Sequence, residues 1–277
     1  MNLLFSIDDS YTEQIKTTLY SVYFNTPVDY FDIYVLQKEK LKRSDELRSL
    51  MEKMNMTYHP IIVRENIFED APCTKRFPEM VYYRLLAHEL LPKDLDKVLY
   101  LDADILCIND LRSLYQLDLA EGSIFGAANH AKILGLNAKF NNFRIQSENN
   151  IYFNSGVLLI NLPSMRQYVN KDDILKYIQT NYRKIVMPDQ DLLNALYGDY
   201  ICEIPNKYYN VDTRWTKLEE LFSKGELDEN WYLKHATLLH YCGSRKPWQE
   251  NATNKWDVLY KNYRHHMKRL EGNRYVF

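Results

Sequence analysis

The chain has 277 residues, of which 46% are apolar and 26% charged, with a formal net charge of -2. That length suffices for one large domain, and the near-neutral charge gives no reason to expect nucleic acid as the main partner. No apolar run reaches the roughly eighteen residues that cross a bilayer. The first residues lack the basic start of a signal peptide and become acidic at Asp8. We therefore expect a cytoplasmic protein, attached at most to a membrane surface.

The four cysteines show neither C-x-x-C pairs nor zinc-site spacing. This pattern predicts buried or free thiols in a reducing compartment. The residues are Cys73, Cys107, Cys202 and Cys242.

The first half of the chain alternates short apolar strands with amphipathic helices. A capping box from Ser10 to Glu13 predicts the start of the first helix. Pro78 predicts the start of a later helix, which carries Arg84 and ends before Pro92. This alternation predicts a parallel sheet with helices on both faces. Strands are predicted at 3–7, 31–36 and 58–63, a helix at 44–55, and a fourth strand that begins at 97.

The second half is less regular, which predicts a mixed sheet within one domain. The polar, Asn-rich stretch 129–150 is predicted to be a long loop, either a functional lid or a disordered insert. The other predicted elements are strands at 124–127, 152–162, 200–204 and 237–241, and helices at 172–182, 189–197 and 255–274.

Two aspartates, Asp102 and Asp104, follow the fourth strand directly. Carboxylates at this spacing can reach one hard cation, and α/β proteins bind ligands beyond the carboxyl ends of their strands. The pattern is therefore typical of a divalent metal that holds a phosphorylated ligand. Taken alone, it is equally typical of a turn at Asp102 with Asp104 as a solvated surface group.

Two further polar clusters accompany predicted strands. Asp8 and Tyr11 could bind a base and ribose after the first strand, although an acidic helix N-terminus is the simpler interpretation. The run from Asn154 to Gly156 interrupts a strand. Its amide could hold a sugar hydroxyl where glycine lets a ligand approach, or the run could be a β-bulge.

The remaining clusters lie near the C-terminal half of the predicted sheet. Polar residues from Asp189 to Asp191 begin a helix, and capping explains only one of them, which leaves the others for a sugar ring. His240 leaves a strand and could be a third metal ligand, although lone histidines are more often core or surface residues. Arg84 could meet these acids or form an ordinary salt bridge.

In order and spacing, these clusters resemble the family 8 glycosyltransferases, a retaining group with the GT-A fold that includes bacterial galactosyl- and glucosyltransferases and glycogenin. The strongest likeness is to the lipopolysaccharide galactosyltransferase and glucosyltransferase type. It covers nearly the whole chain, to about Trp248. The resemblance implies a Rossmann-like, mixed α/β sheet in one domain at 1–250 and a C-terminal helical extension at 251–277. The motifs are Phe5-Ser-Ile-Asp-Asp-Ser-Tyr11, Tyr83-Arg-Leu85, Lys97-Val-Leu-Tyr-Leu-Asp-Ala-Asp104, Tyr152-Phe-Asn-Ser-Gly-Val-Leu-Leu-Ile-Asn-Leu162, Asp189-Gln-Asp-Leu-Leu-Asn194 and His240-Tyr-Cys-Gly-Ser-Arg-Lys-Pro-Trp248.

The resemblance also implies a role for each motif residue. Asp102, Asp104 and His240 would bind Mn²⁺, with Mg²⁺ as the alternative. The uridine would lie against Asp8, Ser10 and Tyr11, although many relatives carry Asn where this chain has Ser10. The other contacts to the UDP-hexose would come from Arg84, Ala103 and Asn154 around the nucleotide-sugar, Asp189 at the hexose hydroxyls, Gln190 beneath the anomeric carbon, and Gly243 and Lys246 at the diphosphate.

The implied reaction transfers a hexose from UDP-galactose or UDP-glucose to a glycan or glycolipid hydroxyl with retention. A double displacement needs a carboxylate beneath the anomeric carbon, but the matching residue is the amide Gln190, with Asp191 as its neighbour. The metal and Lys246 would stabilise the departing charge. We therefore favour attack on the face from which the phosphate leaves, with a phosphate oxygen taking the acceptor's proton.

Two other functions fit the same motifs. A metal-dependent nucleotidyltransferase or phosphohydrolase also uses Asp-x-Asp, and a degenerate nucleotide-sugar-binding protein would bind without turnover. Acceptor walls are expected at 129–150 and 206–215, with Asn129 or His130 where close relatives have an acidic residue. The basic, aromatic stretch 255–277 would contact an anionic membrane surface or cap the domain as a helix.

Overall fold

A mixed central sheet organises the chain. The computed structural model describes residues 1–130, 135–145 and 151–272, and within 135–139 it describes the backbone alone. The strands over these ranges are β1 (Asn2–Ser6), β2 (Phe31–Gln37), β3 (Met56–Ile62), β4 (Lys97–Leu101), β5 (Ile105–Cys107), β6 (Phe125–Asn129), β7 (Phe153–Asn161), β8 (Ile201–Ile204), β9 (Val211–Asp212) and β10 (Leu238–His240).

The large sheet has the strand order β3-β2-β1-β4-β7-β6-β8. Strands β1 to β4 run parallel, as the alternation of the first half predicts, and β7 runs antiparallel to both β4 and β6. A smaller sheet has the order β5-β10-β9, with β5 antiparallel to β10. The prediction of a mixed α/β sheet is therefore confirmed.

Helices lie on both faces of the large sheet. The predicted helices at 44–55, 172–182 and 189–197 are present with slightly shifted ends. The helices are α1 (Thr12–Asn25), α2 (Ser44–Glu52), α3 (Ala87–Leu90), α4 (Arg112–Tyr115), α5 (Gly135–Ile145), α6 (Leu162–Tyr168), α7 (Lys171–Asn181), α8 (Pro188–Tyr197), α9 (Asn206–Tyr209), α10 (Thr216–Phe222), α11 (Glu229–His235) and α12 (Asp257–Glu271), with 3₁₀ helices at Asp9–Tyr11, Glu79–Leu86, Tyr182–Lys184 and Gly198–Tyr200.

The strand side chains alternate between two apolar layers. Leu3 and Phe5 of β1 pack with α1 and α2, whereas Leu4 packs with the helices that follow Pro78 and with α8. Neighbouring side chains of a strand point to opposite faces, so β1 contributes to both layers. Each buried Leu or Phe stabilises the fold by roughly 1.5–3 kcal/mol. These layers hold the carboxyl ends of the strands in fixed positions.

Helix α12 packs on the domain rather than standing apart from it. Trp256 and Tyr260 are buried beside the small sheet, and Met267 is buried in the layer that contains α1. The opposite face exposes Lys261 and Arg269. None of the helices among the described residues combines the length and apolar character required to cross a membrane.

The predicted loop at 129–150 is wrong where the structure describes it, because α5 occupies 135–145. Its two phenylalanines do not mark its buried face: Phe140 and Phe143 are exposed, whereas Asn142 and Ile145 are buried. The rest of the predicted loop at 131–134 and 146–150 lies outside the described residues. In β7, the interruption predicted after Asn154 coincides with a register shift in the β6–β7 pairing, as the β-bulge alternative expected.

Candidate active site

The candidate site lies where the chain passes from β4 in the large sheet to β5 in the small one. The Asp102 amide donates to the Gly156 carbonyl at 2.8 Å, and the Tyr241 amide donates to the Asp104 carbonyl at 3.0 Å. These bonds tie the link to β7 on one side and to the end of β10 on the other. Asp102, Ala103 and Asp104 all line a cavity of about 610 Å³.

Three metal-ligand side chains converge at this link, and we refer to Asp102, Asp104 and His240 as the acidic triad. His240 Nε2 lies 3.3 Å from Asp104 Oδ1 and 3.8 Å from Asp102 Oδ2. Asp104 Oδ1 is buried and has no hydrogen-bond partner among the described residues. His240 Nδ1 lies 2.9 Å from Asn210 Oδ1, which leaves Nε2 to act as a ligand. Two carboxylates and an imidazole in this arrangement fit a divalent cation.

Lys246 supplies a positive charge beside the acidic triad. Its ammonium group bonds Asp104 Oδ2 and donates to the Tyr241 carbonyl at 2.7 Å. Burial alone would raise the pKa of Asp104, but Lys246 and His240 hold that pKa below its ordinary value. Burial alone would lower the pKa of Lys246, but Asp104 holds it above its ordinary value. Both groups are therefore charged at neutral pH, and the ammonium group faces the cavity.

Two glycines give the site its shape. A Cβ added to Gly156 would lie 2.3 Å from His240 Cε1 and 2.7 Å from Asp102 Oδ2, so the acidic triad itself requires glycine there. Gly243 has a φ of +88°, in the region that glycine adopts readily, and a Cβ there would lie 2.9 Å from Arg214 Nη1. The turn at Gly243 leads the chain from β10 towards Lys246.

Arg84 connects the acidic triad to the start of α8. The side chain is buried, with Nη1 2.9 Å from Asp102 Oδ1 and Nε 3.3 Å from Asp189 Oδ2. Its guanidinium carbon lies 4.0 Å from the centre of the Tyr100 ring. Burial raises the pKa of Asp189, and Arg84 opposes that rise. Arg84 therefore forms salt bridges, one of the two alternatives that the sequence allowed, and its partners are the site residues Asp102 and Asp189.

A chain of amide side chains runs from α8 to the acidic triad. Gln190 Oε1 accepts from Asn154 Nδ2 at 2.9 Å, and Asn154 Oδ1 accepts from Asn210 Nδ2 at 2.9 Å. Asn210 in turn contacts His240, as described above. Sequence reasoning did not single out Asn210, because it follows the short helix α9 without any motif spacing. Its only signal was its place in the stretch 206–215, predicted to wall the acceptor.

The residues predicted to surround uridine also line the cavity. Asp8 Oδ1 accepts from the Ser10 amide at 2.9 Å and also from its hydroxyl, so Asp8 caps the 3₁₀ helix that precedes α1. The predicted capping box at Ser10 and Glu13 is therefore wrong, because Ser10 donates back to Asp8. Tyr11 packs edge-to-face against Trp248 at a centroid distance of 6.1 Å, and burial raises its pKa.

Asp191 does not line the cavity, which corrects its place among the candidate catalytic residues. Its side chain is fully buried, and Arg144 Nη2 lies 2.6 Å from Oδ1, which also accepts from Tyr152. Oδ2 accepts from the amides of Val186 and Met187 at 2.7 and 2.9 Å. Successive helix residues point about 100° apart, so α8 turns Asp191 away while its two preceding residues face the cavity.

The predicted acceptor side contains His130, which follows β6. Its Nε2 donates to the Asn210 carbonyl at 2.7 Å, and burial lowers the pKa of His130 to about 4, so the ring is neutral at pH 7. Asn129 ends β6 beside it. Arg76 and Phe77 also line the cavity, and sequence reasoning missed them because single basic or aromatic loop residues carry no spacing signal.

A solved structure has the same architecture. The crystal structure of the galactosyltransferase LgtC, in complex with donor and acceptor sugar analogues, aligns with a TM-score of 0.80 over 96% of each chain at 22% identity. The chain therefore has the fold of that GT-A glycosyltransferase.

Sequence comparison gives the family. The model of glycosyl transferase family 8 matches residues 2–252. A lipopolysaccharide 1,2-glucosyltransferase of Escherichia coli K12 is 26% identical over 286 residues, which span 99% of this chain and 78% of that protein. General stress protein A of Bacillus subtilis 168 is 23% identical over 97% of this chain and 94% of that protein. The chain belongs to glycosyl transferase family 8, as the motif resemblance predicted.

Proposed function

We propose that this family 8 glycosyltransferase is a Mn²⁺-dependent, retaining hexosyltransferase that moves galactose or glucose from a UDP-hexose to a hydroxyl of a glycan or glycolipid. The observation that carries the proposal is the acidic triad in the cavity, with Asp104 Oδ1 unbonded among the described residues and Lys246 alongside. Similar proteins are named for glucosyl and galactosyl transfer, which supports a hexose donor.

The acidic triad would hold the cation, Mn²⁺ with Mg²⁺ as the alternative. When bound, such a cation neutralises the negative charge that develops on a diphosphate as its bond to the sugar breaks. Lys246 adds a second positive charge on the same side of the cavity, and the turn at Gly243 brings backbone close to it. This pairing favours a diphosphate leaving group over a single phosphate.

The rest of the cavity suits the nucleotide and the sugar. Asp8, Ser10 and Tyr11 would contact the uridine, with the Tyr11 ring available to the base. Asp189 would accept hydrogen bonds from hexose hydroxyls while Arg84 holds it in place. The other proposed donor contacts are Arg84 itself, the backbone at Ala103, and Asn154.

Retention is proposed to occur by attack on the face from which the diphosphate leaves. Gln190 is an amide that already accepts from Asn154, and Asp191 is occupied by Arg144, so neither offers a free carboxylate nucleophile. The bond from the anomeric carbon to the phosphate oxygen breaks, and a bond to the acceptor oxygen forms through an oxocarbenium-like state. The acceptor's proton moves to the released phosphate oxygen. A covalent hexosyl-enzyme trapped from the unaltered protein would contradict this mechanism.

The acceptor is proposed to approach between His130 and the stretch 206–215. We also propose a cytoplasmic location with peripheral contact between 255–277 and an anionic membrane. The exposed Lys261 and Arg269 of α12 support that contact. Cosedimentation with anionic vesicles, and its absence with neutral vesicles, tests it.

A hydrolysis screen tests the proposed activity. The protein is incubated with Mn²⁺ and a panel of UDP-sugars, and the expected result is release of UDP from UDP-galactose or UDP-glucose. Asp104→Asn is the control and should lower turnover by at least about 10²–10³-fold, the usual cost of one preorganised charge-stabilising group. Undiminished turnover in this variant would remove the metal assignment.

The same screen separates the alternatives. Release of UMP or inorganic phosphate would favour a nucleotidyltransferase or phosphohydrolase. Mn²⁺-dependent binding of UDP-sugars without turnover, with or without added sugar acceptors, would favour a degenerate binding protein.

A further inference from the structure

A second group of ligand-type side chains lies beside the acidic triad. His130, Asp212 and Cys242 come from the end of β6, from β9 and from the chain after β10, and their ligand atoms lie within 4.8 Å of one another. We refer to these three residues as the thiol cluster. The acidic triad offers oxygen and nitrogen alone, whereas this cluster adds a sulfur, which softer cations prefer.

His130 has one ring nitrogen available for a metal. Its Nε2–H donates to the Asn210 carbonyl at 2.7 Å, so the Nδ1 lone pair is left for a ligand bond. Metal-binding histidines usually donate their other ring nitrogen to a carbonyl or carboxylate in this way. The ring is also neutral at pH 7, because burial lowers its pKa to about 4.

Asp212 offers a carboxylate that is already oriented. Arg214 Nε lies 2.9 Å from Asp212 Oδ1, and Arg214 Nη2 lies 2.6 Å from Oδ2. Burial alone would raise the pKa of Asp212, but Arg214 holds it below its ordinary value. A carboxylate has about four lone-pair directions. The arginine therefore leaves lone pairs for a cation and keeps the carboxylate ionised.

Cys242 supplies the sulfur. It is a free thiol that lines the cavity. When a metal binds, the S–H bond breaks, a sulfur–metal bond forms, and the proton passes to solvent. No oxidant or further reactant is needed for this exchange.

We propose that His130, Asp212 and Cys242 form a second metal site that binds a zinc-class divalent cation, distinct from the cation site of the acidic triad. Zinc sites with three protein ligands keep a fourth position for water or a ligand. Tetrahedral zinc places its ligand atoms ~3.3–3.7 Å apart, so the cluster needs to contract by roughly 1 Å. The proposal does not depend on which sugar the protein transfers.

Cobalt(II) is the probe for this site, because a thiolate bound to Co²⁺ gives a charge-transfer absorption in the near ultraviolet. The full-length protein, reduced with a phosphine, is titrated with CoCl₂ and followed by absorption without any substrate. The expected result is a thiolate-to-cobalt band that grows with added cobalt and saturates. The acidic triad contains no sulfur, so its occupation by Co²⁺ cannot produce that band.

Four variants assign the band. Cys242→Ser should abolish it, whereas Cys202→Ser, which alters another partly buried thiol, should retain it. Asp104→Asn, which disables the acidic triad, should also retain it. His130→Gln tests the site without altering the cysteine. It should weaken cobalt binding, raising the Kd by at least about tenfold. Circular dichroism checks the fold of each variant.

Three results would overturn the proposal: no thiolate band in the unaltered protein, a band that survives Cys242→Ser, or a cobalt Kd unchanged in His130→Gln. None of these depends on turnover of a UDP-sugar. Failure of the second site and failure of the proposed function are therefore separate outcomes.

Discussion

Two charge clusters, each arranged around one lysine, use similar side chains in different ways. In the cavity, Lys246 bonds one carboxylate, Asp104, whose other oxygen has no hydrogen bond among the described residues. Under α12, Lys16 has a fully buried side chain and lies close to three carboxylates. Its Nζ contacts are Glu13 at 3.4 Å, Glu46 at 3.1 Å and Glu271 at 2.7 Å.

We call Lys16 and its three glutamates the lysine cluster. It joins α1, α2 and α12, and Arg43 and Lys268 supply the two further cations that balance its three carboxylates. The acidic triad instead lines the cavity, where a ligand can reach it. The contrast suggests that an ion cluster stabilises the fold where helices enclose it, and serves binding where a cavity reaches it. A Lys→Met change should therefore lower turnover at Lys246 and lower the free energy of unfolding at Lys16.

The largest expected effect is at Lys246. Lys246→Met removes the charge that is proposed to face the diphosphate, so kcat for UDP-hexose hydrolysis should fall by about 10²–10³-fold, a loss of about 2.7–4 kcal/mol of transition-state stabilisation. Steady-state kinetics with saturating Mn²⁺ measure this. A kcat within a few-fold of the unaltered protein would mean that Lys246, like Lys16, has a structural role, and would contradict the contrast between the two clusters.

Asp191 and its neighbour Gln190 in α8 show the same contrast between a structural and a binding role. Asp191→Asn disrupts a buried ion pair with Arg144 and should lower the free energy of unfolding by about 3 kcal/mol. Turnover of the folded fraction should change only slightly, because Asp191 faces away from the cavity. Gln190→Ala is the matched comparison and should lower kcat with less effect on unfolding. Urea denaturation and single-turnover kinetics separate the two, and a large loss of kcat in Asp191→Asn would restore it as a nucleophile.

Lys16→Met should change stability, whereas Lys246→Met should change turnover. Three carboxylates lose their shared cation, and the free energy of unfolding should fall by about 1.5–3 kcal/mol, in the range for hydrogen bonds to charged groups. Turnover at a temperature where the protein is folded should be unchanged. Chemical denaturation gives the stability, and a variant as stable as the unaltered protein would mean that the lysine cluster contributes nothing net.

The smallest effect is a difference in acid sensitivity. Burial alone would raise the pKa of Glu13, but Lys268 and Lys16 together lower it from 4.5 to about 2. A carboxylate whose folded pKa lies below its unfolded value stabilises the protein above the unfolded pKa. That contribution is lost as the pH falls from about 4.5 towards 2. Tm measured across this window should drop less steeply in Lys16→Met, and parallel slopes would contradict the assignment.

Much of the first half could be predicted from sequence, because its apolar residues are also its buried ones. Leu3, Phe5 and Leu99 alternate as the sheet requires, and the triad acids lie directly after β4. The sequence predicted a loop in place of α5 because the aromatic residues of that helix, Phe140 and Phe143, face solvent. Apolar periodicity reports burial, and a helix that exposes its aromatic residues gives no such report.

The site was less accessible to sequence than the fold. The residues of the acidic triad could be named from the ends of strands, but their bond partners come from distant segments. Asn210 orients His240 from 30 positions away, and Arg144 occupies Asp191 from 47 positions away. Such pairings follow from packing between elements, and no local pattern encodes them. The start of the first helix was also predicted at the wrong residue. Asp8 caps a 3₁₀ helix there, whereas the sequence predicted a capping box at Ser10.

The acidic triad is divided between two sheets, and this has a consequence during synthesis of the chain. The large sheet has all its strands once Ile204 has been made, but His240 arrives only with β10, the last strand of the described residues. A nascent chain can therefore contain every strand of the large sheet while it still lacks the third of the residues proposed to bind the cation. Binding of a metal at the proposed site has to follow the synthesis of β10.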